Sequence, residues 1–321
     1  MKTKKKSTEK NFTGFMVHHR VLIIRNPFIW MALAMVLVSC EIISQEEYTE
    51  YVVVEAYAVA NRPLPHVQVS KTSPVKEFYD AANNVLMLAI VRITLLDNNG
   101  NDERVFPYRF SLSDGGVFIP VDEEYIVEPM RTYRLDVTFT DRPEVIRAFT
   151  TIPDTFEIIS EVPERVVYQS ENQLEVTISQ AQRTGSQNVF VFSSVSLEPE
   201  EENLTPFYKA SVDDENIKLE DVIITSSGLI NEGNFDLNPD GTITLRFPWI
   251  GVAFYGENLV VTSLVDRNIN DLIRSQQVQL GGSTLSPGEI PNILYNVEGG
   301  IGIFGSISTD TVKTVFARPG F

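Results

Sequence analysis

Cysteine, histidine and tryptophan are scarce in this chain of 321 residues, which contains one cysteine, three histidines and two tryptophans. A single cysteine excludes an internal disulfide and any metal site built from several thiolates. His18 and His19 lie in the basic amino-terminal segment, so His66 is the one imidazole beyond it. Because the sequence also lacks a Gly-x-Ser-x-Gly turn, a Walker loop and a dinucleotide fingerprint, we expect no catalytic residue and read His66 as a surface residue.

Basic residues are also few, with 26 Lys and Arg against 43 Asp and Glu and a formal net charge of −17. Residues 1–39 hold seven of the bases and one of the acids, so the chain from Cys40 onward carries 19 bases, 42 acids and a charge of −23. Such a surface repels phosphate backbones and anionic headgroups, so neither nucleic-acid binding nor charge-driven membrane binding is expected. The 43% hydrophobic content is sufficient to build folded cores.

The first 39 residues have the pattern of an export signal. Basic residues precede an apolar run over residues 27–38, which is too short for a bilayer span of roughly 20 residues but suits a signal sequence. Leu37-Val38-Ser39-Cys40 resembles the lipobox of bacterial lipoproteins. The resemblance implies cleavage between Ser39 and Cys40, a diacylglyceryl group on the Cys40 thiol and an acylated new amino terminus. The alternative is a buried cysteine in an uncleaved anchor helix.

The residues just after Cys40 are acidic. Glu41 and Ser44-Gln45-Glu46-Glu47 resemble the signals that direct Bacteroidota lipoproteins to the outer membrane, on either its periplasmic or its surface face. A solvated tether over residues 40–50 is the simpler alternative. The basic region before the apolar run is long for a signal, so Met16 rather than Met1 is a candidate start.

Beyond the tether, the sequence predicts an all-β protein. Short β-branched and aromatic segments with period-two alternation are separated by turns such as Asp97-Asn-Asn-Gly100. The clearest helix signal is Asp266 as a cap for residues 267–277, with Ile269, Leu272 and Ile273 on one face. The predicted strands begin at Tyr51, His66, Val91, Tyr133, Leu174 and Val189.

A boundary near Ile152-Pro153-Asp154 predicts two β domains. Residues 51–152 suit a seven-stranded sandwich of immunoglobulin or transthyretin type. Residues 153–321 would form a second β domain, a sandwich or a partly open barrel with one short helix.

Several segments together resemble one known family. They are the lipobox, Val52-Val-Val-Glu-Ala, Val91-Arg-Ile-Thr-Leu-Leu-Asp-Asn-Asn-Gly100, Thr132-Tyr-Arg-Leu-Asp-Val and Asn296-Val-Glu-Gly-Gly-Ile-Gly-Ile-Phe-Gly305. In order and extent they are similar to the Bacteroidota lipoproteins called domain of unknown function 4249. The resemblance implies an outer-membrane lipoprotein, often encoded beside TonB-dependent receptors, and carries over no catalytic residue.

One segment is a candidate calcium site. Asp236, Asn238 and Asp240 match the first half of an EF-hand calcium loop, but Phe247 stands where the last glutamate belongs, and a hairpin turn between strands over residues 235–237 and 242–247 is favoured. The acidic stretches 198–202 and 213–215 are read as solvated charge rather than weak calcium sites. No cofactor is expected, and calcium at the 236–240 loop is the alternative.

Trp249 and Tyr255 could form an exposed aromatic platform for a sugar or a protein partner, although a core cluster is simpler. The glycines of residues 299–305 predict an edge strand with close backbone approach rather than a nucleotide loop.

These observations predict a non-enzymatic lipoprotein of the outer membrane that acts as an accessory or binding module, associated with a TonB-dependent receptor. The alternative is a calcium-assisted glycan-binding protein or a carboxylate-based glycoside hydrolase.

Overall fold

The computed structural model describes residues 48–280, apart from Val75, Tyr79, Ser186, Asn216 and Asp236, and residues 293–320. Backbone contacts group Thr49–Phe321 into one compact unit. The boundary near Ile152 stays a prediction.

Strands dominate the described residues, which confirms the all-β class. The strands are β1 (Val52–Val59), β2 (Val67–Lys71), β3 (Ala89–Leu96), β4 (Asp102–Ser111), β5 (Val117–Pro120), β6 (Thr132–Phe139), β7 (Val145–Thr151), β8 (Arg165–Val167), β9 (Glu175–Ile178), β10 (Val189–Ser196), β11 (Ile224–Ser226), β12 (Ile230–Asn231), β13 (Ile243–Arg246), β14 (Gly256–Val265), β15 (Val297–Glu298) and β16 (Ile301–Ala317).

The α-helices in the described part of the chain are α1 (Ala81–Asn84), α2 (Pro206–Glu215) and α3 (Arg267–Leu280), and short 3₁₀ helices lie at Glu201–Asn203, Leu219–Val222, Glu232–Asn234 and Trp249–Gly251. Helix α3 is the one that the sequence predicts, and it begins where expected because the Asp266 carboxylate accepts a hydrogen bond from the Ile269 N–H at 2.9 Å. The sequence indicated this helix alone. Helix α2 was missed, although Thr205 and Pro206 are residue types typical of a helix start, because its apolar residues have no clear helical period.

The first seven strands form a β-sandwich, as predicted for this part of the chain. One sheet of the sandwich contains β1, β2 and β5, and the other contains β3, β6 and β7. Strand β4 pairs with β3 over residues 102–107 and with β5 over residues 108–111, so it belongs to both sheets. Alternation explains the packing: along β1, Val54, Ala56 and Ala58 are buried, whereas Glu55 and Tyr57 are exposed. Inward side chains of this kind build the first hydrophobic core, which Val297 and Phe304 complete from the carboxyl-terminal end of the chain.

Strand β16, near the carboxyl-terminal end of the sequence, pairs with β1, the first strand. Its residues 301–307 pair in parallel with β1, and its antiparallel pairing with β14 begins at Ile307. Residues 301–305 therefore have a strand partner on one side, as an edge segment does, although β16 as a whole lies between β1 and β14. The predicted close backbone approach is confirmed: a Cβ on Gly302, whose φ is +120°, would lie 2.0 Å from Val54 O.

The remaining strands surround a second core. Strands β10, β14 and β16 lie side by side in the main sheet, and β9 pairs with β13 in a small sheet of two strands. Phe190, Phe192, Leu245, Val260 and Phe316 are among the buried residues of this core. Within the described residues, no helix is both long and apolar enough to cross a bilayer.

Candidate functional site

A polar cleft of about 470 Å³ lies beside the first half of α3. The helix places its apolar residues Ile269, Leu272 and Ile273 against a small hydrophobic cluster, so the opposite face is free to line the cleft. We call it the α3 cleft; it is lined by Thr184, Gly185, Gln187, Asn188, Val189, Val265, Asp266, Arg267, Asn270, Asp271 and Arg274.

Four polar side chains of α3 line the cleft at the spacing i, i+3, i+4 and i+7: Arg267, Asn270, Asp271 and Arg274. Arg267 Nε lies 3.2 Å from Asp271 Oδ2, and Arg274 Nε donates to Asn270 Oδ1 at 2.9 Å. Arg274 Nη2 also donates to Asn231 Oδ1 at 2.7 Å. These contacts hold the donors and acceptors in place, so the cleft is suited to a small polar molecule that forms several hydrogen bonds.

A second, smaller cleft of about 230 Å³ shares Asn188 with the α3 cleft. Its wall includes Arg183 and Glu232, which form an ion pair of 2.8 Å between Nε and Oε2. Glu232 also accepts a hydrogen bond from the Asn188 N–H at 3.2 Å. The two clefts therefore share one continuous polar wall around Asn188.

Asp266 lies at the inner side of the α3 cleft and is 4% exposed. Its Oδ2 accepts a hydrogen bond from the Thr150 hydroxyl at 2.6 Å, and Thr150 Oγ1 lies 2.7 Å from Ser306 Oγ. Burial raises the pKa of the Asp266 carboxyl to about 6, although the hydrogen bonds from Ile269 and Thr150 act in the opposite direction. This network ties the start of α3 to β7 and β16.

The residues predicted for lipid attachment and cleavage, Cys40 and Ser39, lie outside the described residues, as does Asp236 of the calcium-loop alternative. The structure forms a turn at Asn238: the Gly241 N–H donates to Asn238 O at 2.8 Å, and Gly241 has φ +80°. The turn matches the prediction, and of the described residues in the strand expected over 235–237, Leu237 forms one bridge, with Ile243.

Asp240 and Asn238, two of the residues proposed for calcium, form hydrogen bonds within this turn. Asp240 Oδ1 accepts from the Thr242 hydroxyl at 2.7 Å, which helps to hold the pKa of Asp240 below its ordinary value. Asn238 Nδ2 donates to the Thr242 and Thr244 hydroxyls. Among the described residues, no group of three or more His, Cys, Asp or Glu side chains is arranged to hold a metal ion.

Trp249 and Tyr255 both pack on Tyr168, with ring centroids 5.5 Å apart in each pair. Tyr255 is 8% exposed and belongs to the second core, and the Arg318 guanidinium covers its ring at 5.1 Å. Trp249 is only partly buried. The structure thus favours the core-cluster alternative for Tyr255, and Trp249 packs at the edge of the same cluster. His66 is exposed, as expected.

Sequence reasoning missed the α3 cleft. The signal was present in the polar stripe of Arg267, Asn270, Asp271 and Arg274, opposite the apolar stripe that identified the helix. The other wall comes from Thr184, Gly185, Gln187, Asn188 and Val189, whose position next to α3 depends on the pairing of β10 with β14.

Comparison with solved structures gives only distant similarity. A tetra-tandem repeat from the extending region of a large adhesion protein matches with a TM-score of 0.22 and 12% identity, over 83% of this chain and 49% of that one. The three N-terminal domains of the bacteriophage RB49 highly immunogenic outer capsid protein match with a TM-score of 0.23 and 11% identity, over 84% and 70%. The native E. coli alpha-2-macroglobulin matches with a TM-score of 0.22 and 10% identity, over 85% and 17%.

The chain spans about half the length of the adhesion-protein chain that it matches. No curated protein matches it significantly. A family profile described as "Domain of unknown function (DUF4249)" matches residues 38–313, which is most of the sequence. The chain therefore belongs to the DUF4249 family.

Proposed function

We propose that this protein is a non-enzymatic lipoprotein of a Bacteroidota outer membrane, in which a lipid on Cys40 tethers a β-sandwich binding module. The observation that carries the proposal is the order Leu37-Val38-Ser39-Cys40, a short acidic segment and then β1, which begins at Val52. A thiol at this position can accept a lipid, and the folded unit follows it closely.

The anchor fixes where the module acts. Each buried CH₂ group contributes ~0.8 kcal/mol, so a thioether-linked pair of acyl chains and a third chain on the amino terminus make release from the bilayer negligible. The roughly ten residues from Cys40 to Glu50 span at most ~35 Å. The module therefore stays near the membrane on whichever face the lipid occupies.

We further propose that the module acts as an accessory to a TonB-dependent receptor in the same membrane. Confinement by the tether raises the effective concentration of the module at a membrane-embedded partner, to about the millimolar range, so a weak interface is sufficient. Trp249, which is partly buried, and the adjacent Ile250, which is 61% exposed, are the residues to test as partner contacts. Tyr255 supports Trp249 through their shared neighbour Tyr168.

The experiment has two arms in the native host. Cys40→Ser is expected to abolish incorporation of labelled palmitate and to leave the precursor unprocessed, and palmitate that still enters the variant contradicts the anchor. In-cell crosslinking of the tagged wild type is expected to capture an outer-membrane receptor, and Trp249→Ala is expected to weaken that capture. If the anchored, folded protein captures no receptor, the accessory role is wrong and a free-standing binding role replaces it.

A second candidate is glycan binding at the α3 cleft, without calcium. The amide and charged side chains of Asn270, Gln187 and Arg274 offer both donors and acceptors, which the hydroxyl groups of a sugar require. Calorimetric titration with cell-surface oligosaccharides tests it: binding that Arg274→Ala weakens at least tenfold, with no effect of Trp249→Ala, supports this candidate over the receptor accessory.

A further inference from the structure

One end of the first sandwich is formed by the chain entry and four connecting segments. We call it the tether end, and it consists of the described residues within 50–51, 71–88, 111–117, 140–145 and 298–300. Contacts between these segments bring them together. Glu50 accepts hydrogen bonds from Lys71 Nζ at 2.9 Å and from Arg142 Nη1 at 3.1 Å.

Strand register places the other segments at the same end. Ala89, which follows the 71–88 segment, pairs with Phe139, which precedes the turn that contains Arg142. A Cβ on Gly116 would lie 3.4 Å from Val85 Cγ2, so the 111–117 turn packs on the 71–88 segment. A Cβ on Gly300 would lie 2.7 Å from Val52 O, which places the 298–300 turn beside the start of β1.

This end presents apolar side chains to solvent at its loop tips. Phe78, at 96% exposure, and Leu112, at 76%, are the two most exposed large hydrophobic residues in the described part of the chain. Leu88 is 60% exposed, and its neighbour Met87 and the nearby Tyr51 and Val145 are also more than half exposed. Exposed apolar groups that gather on one surface mark a contact with a protein or a membrane.

The most exposed of the aliphatic tips is held firmly. Leu112 lies at the tip of a turn in which the Gly115 N–H donates to Leu112 O at 3.3 Å and the Gly116 N–H donates to Ser111 O at 3.2 Å. Both glycines have positive φ, and the hydroxyls of Ser111 and Ser113 contact the Asp114 carboxylate. The turn therefore keeps Leu112 pointing outward instead of letting it fold back on the sandwich.

The length of chain between this surface and Cys40 indicates what the surface contacts. From Tyr51 the sequence runs back through about ten residues to Cys40, where the proposed lipid is attached. A tether of ~35 Å at most keeps this end of the unit within that distance of the leaflet that holds the lipid. The charges argue against attraction to anionic lipid, because the tether end carries seven acidic residues and three basic residues. A contact here must be made by the apolar tips with a surface of zwitterionic lipid.

We propose that Phe78, Met87, Leu88 and Leu112 insert into the headgroup region of the leaflet that holds the Cys40 lipid, so that the sandwich rests on the membrane by its tether end. This inference rests on the proposed lipid anchor and adds an orientation to it. Strand β16 runs from Ile301 at the tether end to Ala317, and its 17 residues span ~55 Å at ~3.3 Å per residue. Phe316, which stacks against Phe247 at 6.4 Å, and the adjoining Trp249 region are thereby held away from the bilayer, where they can meet only those parts of a receptor that project from it.

The test uses the full lipidated protein with one introduced thiol, since the native thiol is consumed by the lipid. Leu112→Cys and Leu88→Cys are labelled with an environment-sensitive nitrobenzoxadiazole dye, and Ile250→Cys, with 61% exposure in the distal region, is the matched control. Each protein is reconstituted into phosphatidylcholine–phosphatidylethanolamine vesicles with and without nitroxide-labelled lipid. Flotation of the vesicles, intact mass and circular dichroism establish that each variant is anchored and folded.

The dye at positions 112 and 88 is expected to emit about 10 nm or more to the blue of the dye at 250 and to lose at least half its intensity to the nitroxide lipid, as expected for apolar groups buried at the membrane interface. Anchored protein whose dyes at 112 and 88 behave like the dye at 250 overturns the inference and leaves the anchor intact. A blue shift without quenching overturns it in favour of contact with another protein copy. Protein that neither floats nor carries lipid refutes the proposed function itself.

Discussion

The Asp266→Asn substitution tests whether burying the charged Asp266 carboxylate at the start of α3 lowers the free energy of unfolding. In the folded protein the pKa of Asp266 is raised to about 6 from its ordinary value of 3.8, with burial as the main cause. A group whose folded-state pKa is raised stabilises the fold fully below its unfolded pKa and loses that contribution as the pH rises through the folded pKa. For Asp266 the loss therefore develops between about pH 4 and pH 6.

The magnitude follows from the shift. About two pKa units correspond to about 3 kcal/mol in total, of which about 1.4 kcal/mol develops between pH 5 and pH 8. The asparagine introduced by Asp266→Asn stays neutral at every pH and fits the same network, because its carbonyl accepts from the Ile269 N–H and its amide donates to Thr150 Oγ1. Thr150 then donates to Ser306 Oγ, and Ser306 donates to Thr151 O, 3.1 Å away. The substitution therefore removes the charge without leaving a buried donor unpaired.

Urea denaturation of the wild type and Asp266→Asn at pH 5 and pH 8 measures the effect, and all other titrating groups cancel in the difference between the two proteins. We expect the variant to gain about 1.4 kcal/mol relative to the wild type on going from pH 5 to pH 8. A difference that does not change with pH, or one that changes in the opposite direction, refutes the argument that burial controls this carboxyl.

Three further predictions concern a backbone position, the turn at Asn238 and the start of the chain. Gly302→Ala is expected to lower the free energy of unfolding by about 3 kcal/mol or more in urea denaturation, because the new Cβ would overlap Val54 O and the φ of Gly302 is +120°. Gly233→Ala is the control, since a Cβ there would lie 3.9 Å from its nearest neighbour. Equal effects of the two substitutions would contradict the close approach at Gly302. Asp240→Ala is expected to lower Tm slightly by removing the acceptor for Thr242, equally with and without millimolar calcium; a Tm that calcium raises in the wild type alone would restore the calcium-loop alternative. Removal of Met16 is expected to abolish expression in the host if it is the start, and unchanged protein level and processing would rule it out.

The sequence predicts the elements whose signals are local. The β-branched and alternating residues of Val52-Val-Val-Glu-Ala-Tyr-Ala identified β1, and its buried face, known from the structure, follows the same alternation because successive side chains of a strand point to opposite sides. The cap at Asp266 and the apolar stripe of Ile269, Leu272 and Ile273 identified α3, because capping and helical spacing both act between residues that are close in sequence. The turn at Asn238 followed from the conformations that Pro239 and Gly241 prefer.

Features that depend on distant pairing could not be predicted in this way. Strand β16 lies between β1 and β14, and its partner Val53 is separated from Ile301 by most of the sequence. The Asp266 network likewise joins Thr150 and Ser306, which are far apart in the chain. The local sequence of β16 does not reveal that it pairs with β1, and the residues around Asp266 do not reveal its contact with Thr150. The inner position of β16 and the burial of Asp266 are therefore known only from the structure.

The central claim is that Cys40 carries the lipid that holds this β-sandwich at the outer membrane. The most direct measurement is mass spectrometry of the amino-terminal peptide of the protein purified from native outer membranes. We predict a chain that begins at Cys40, with a diacylglyceryl group on its sulfur and an acyl group on its nitrogen. A peptide that retains Leu37-Val38-Ser39 or carries a free Cys40 thiol would contradict the account.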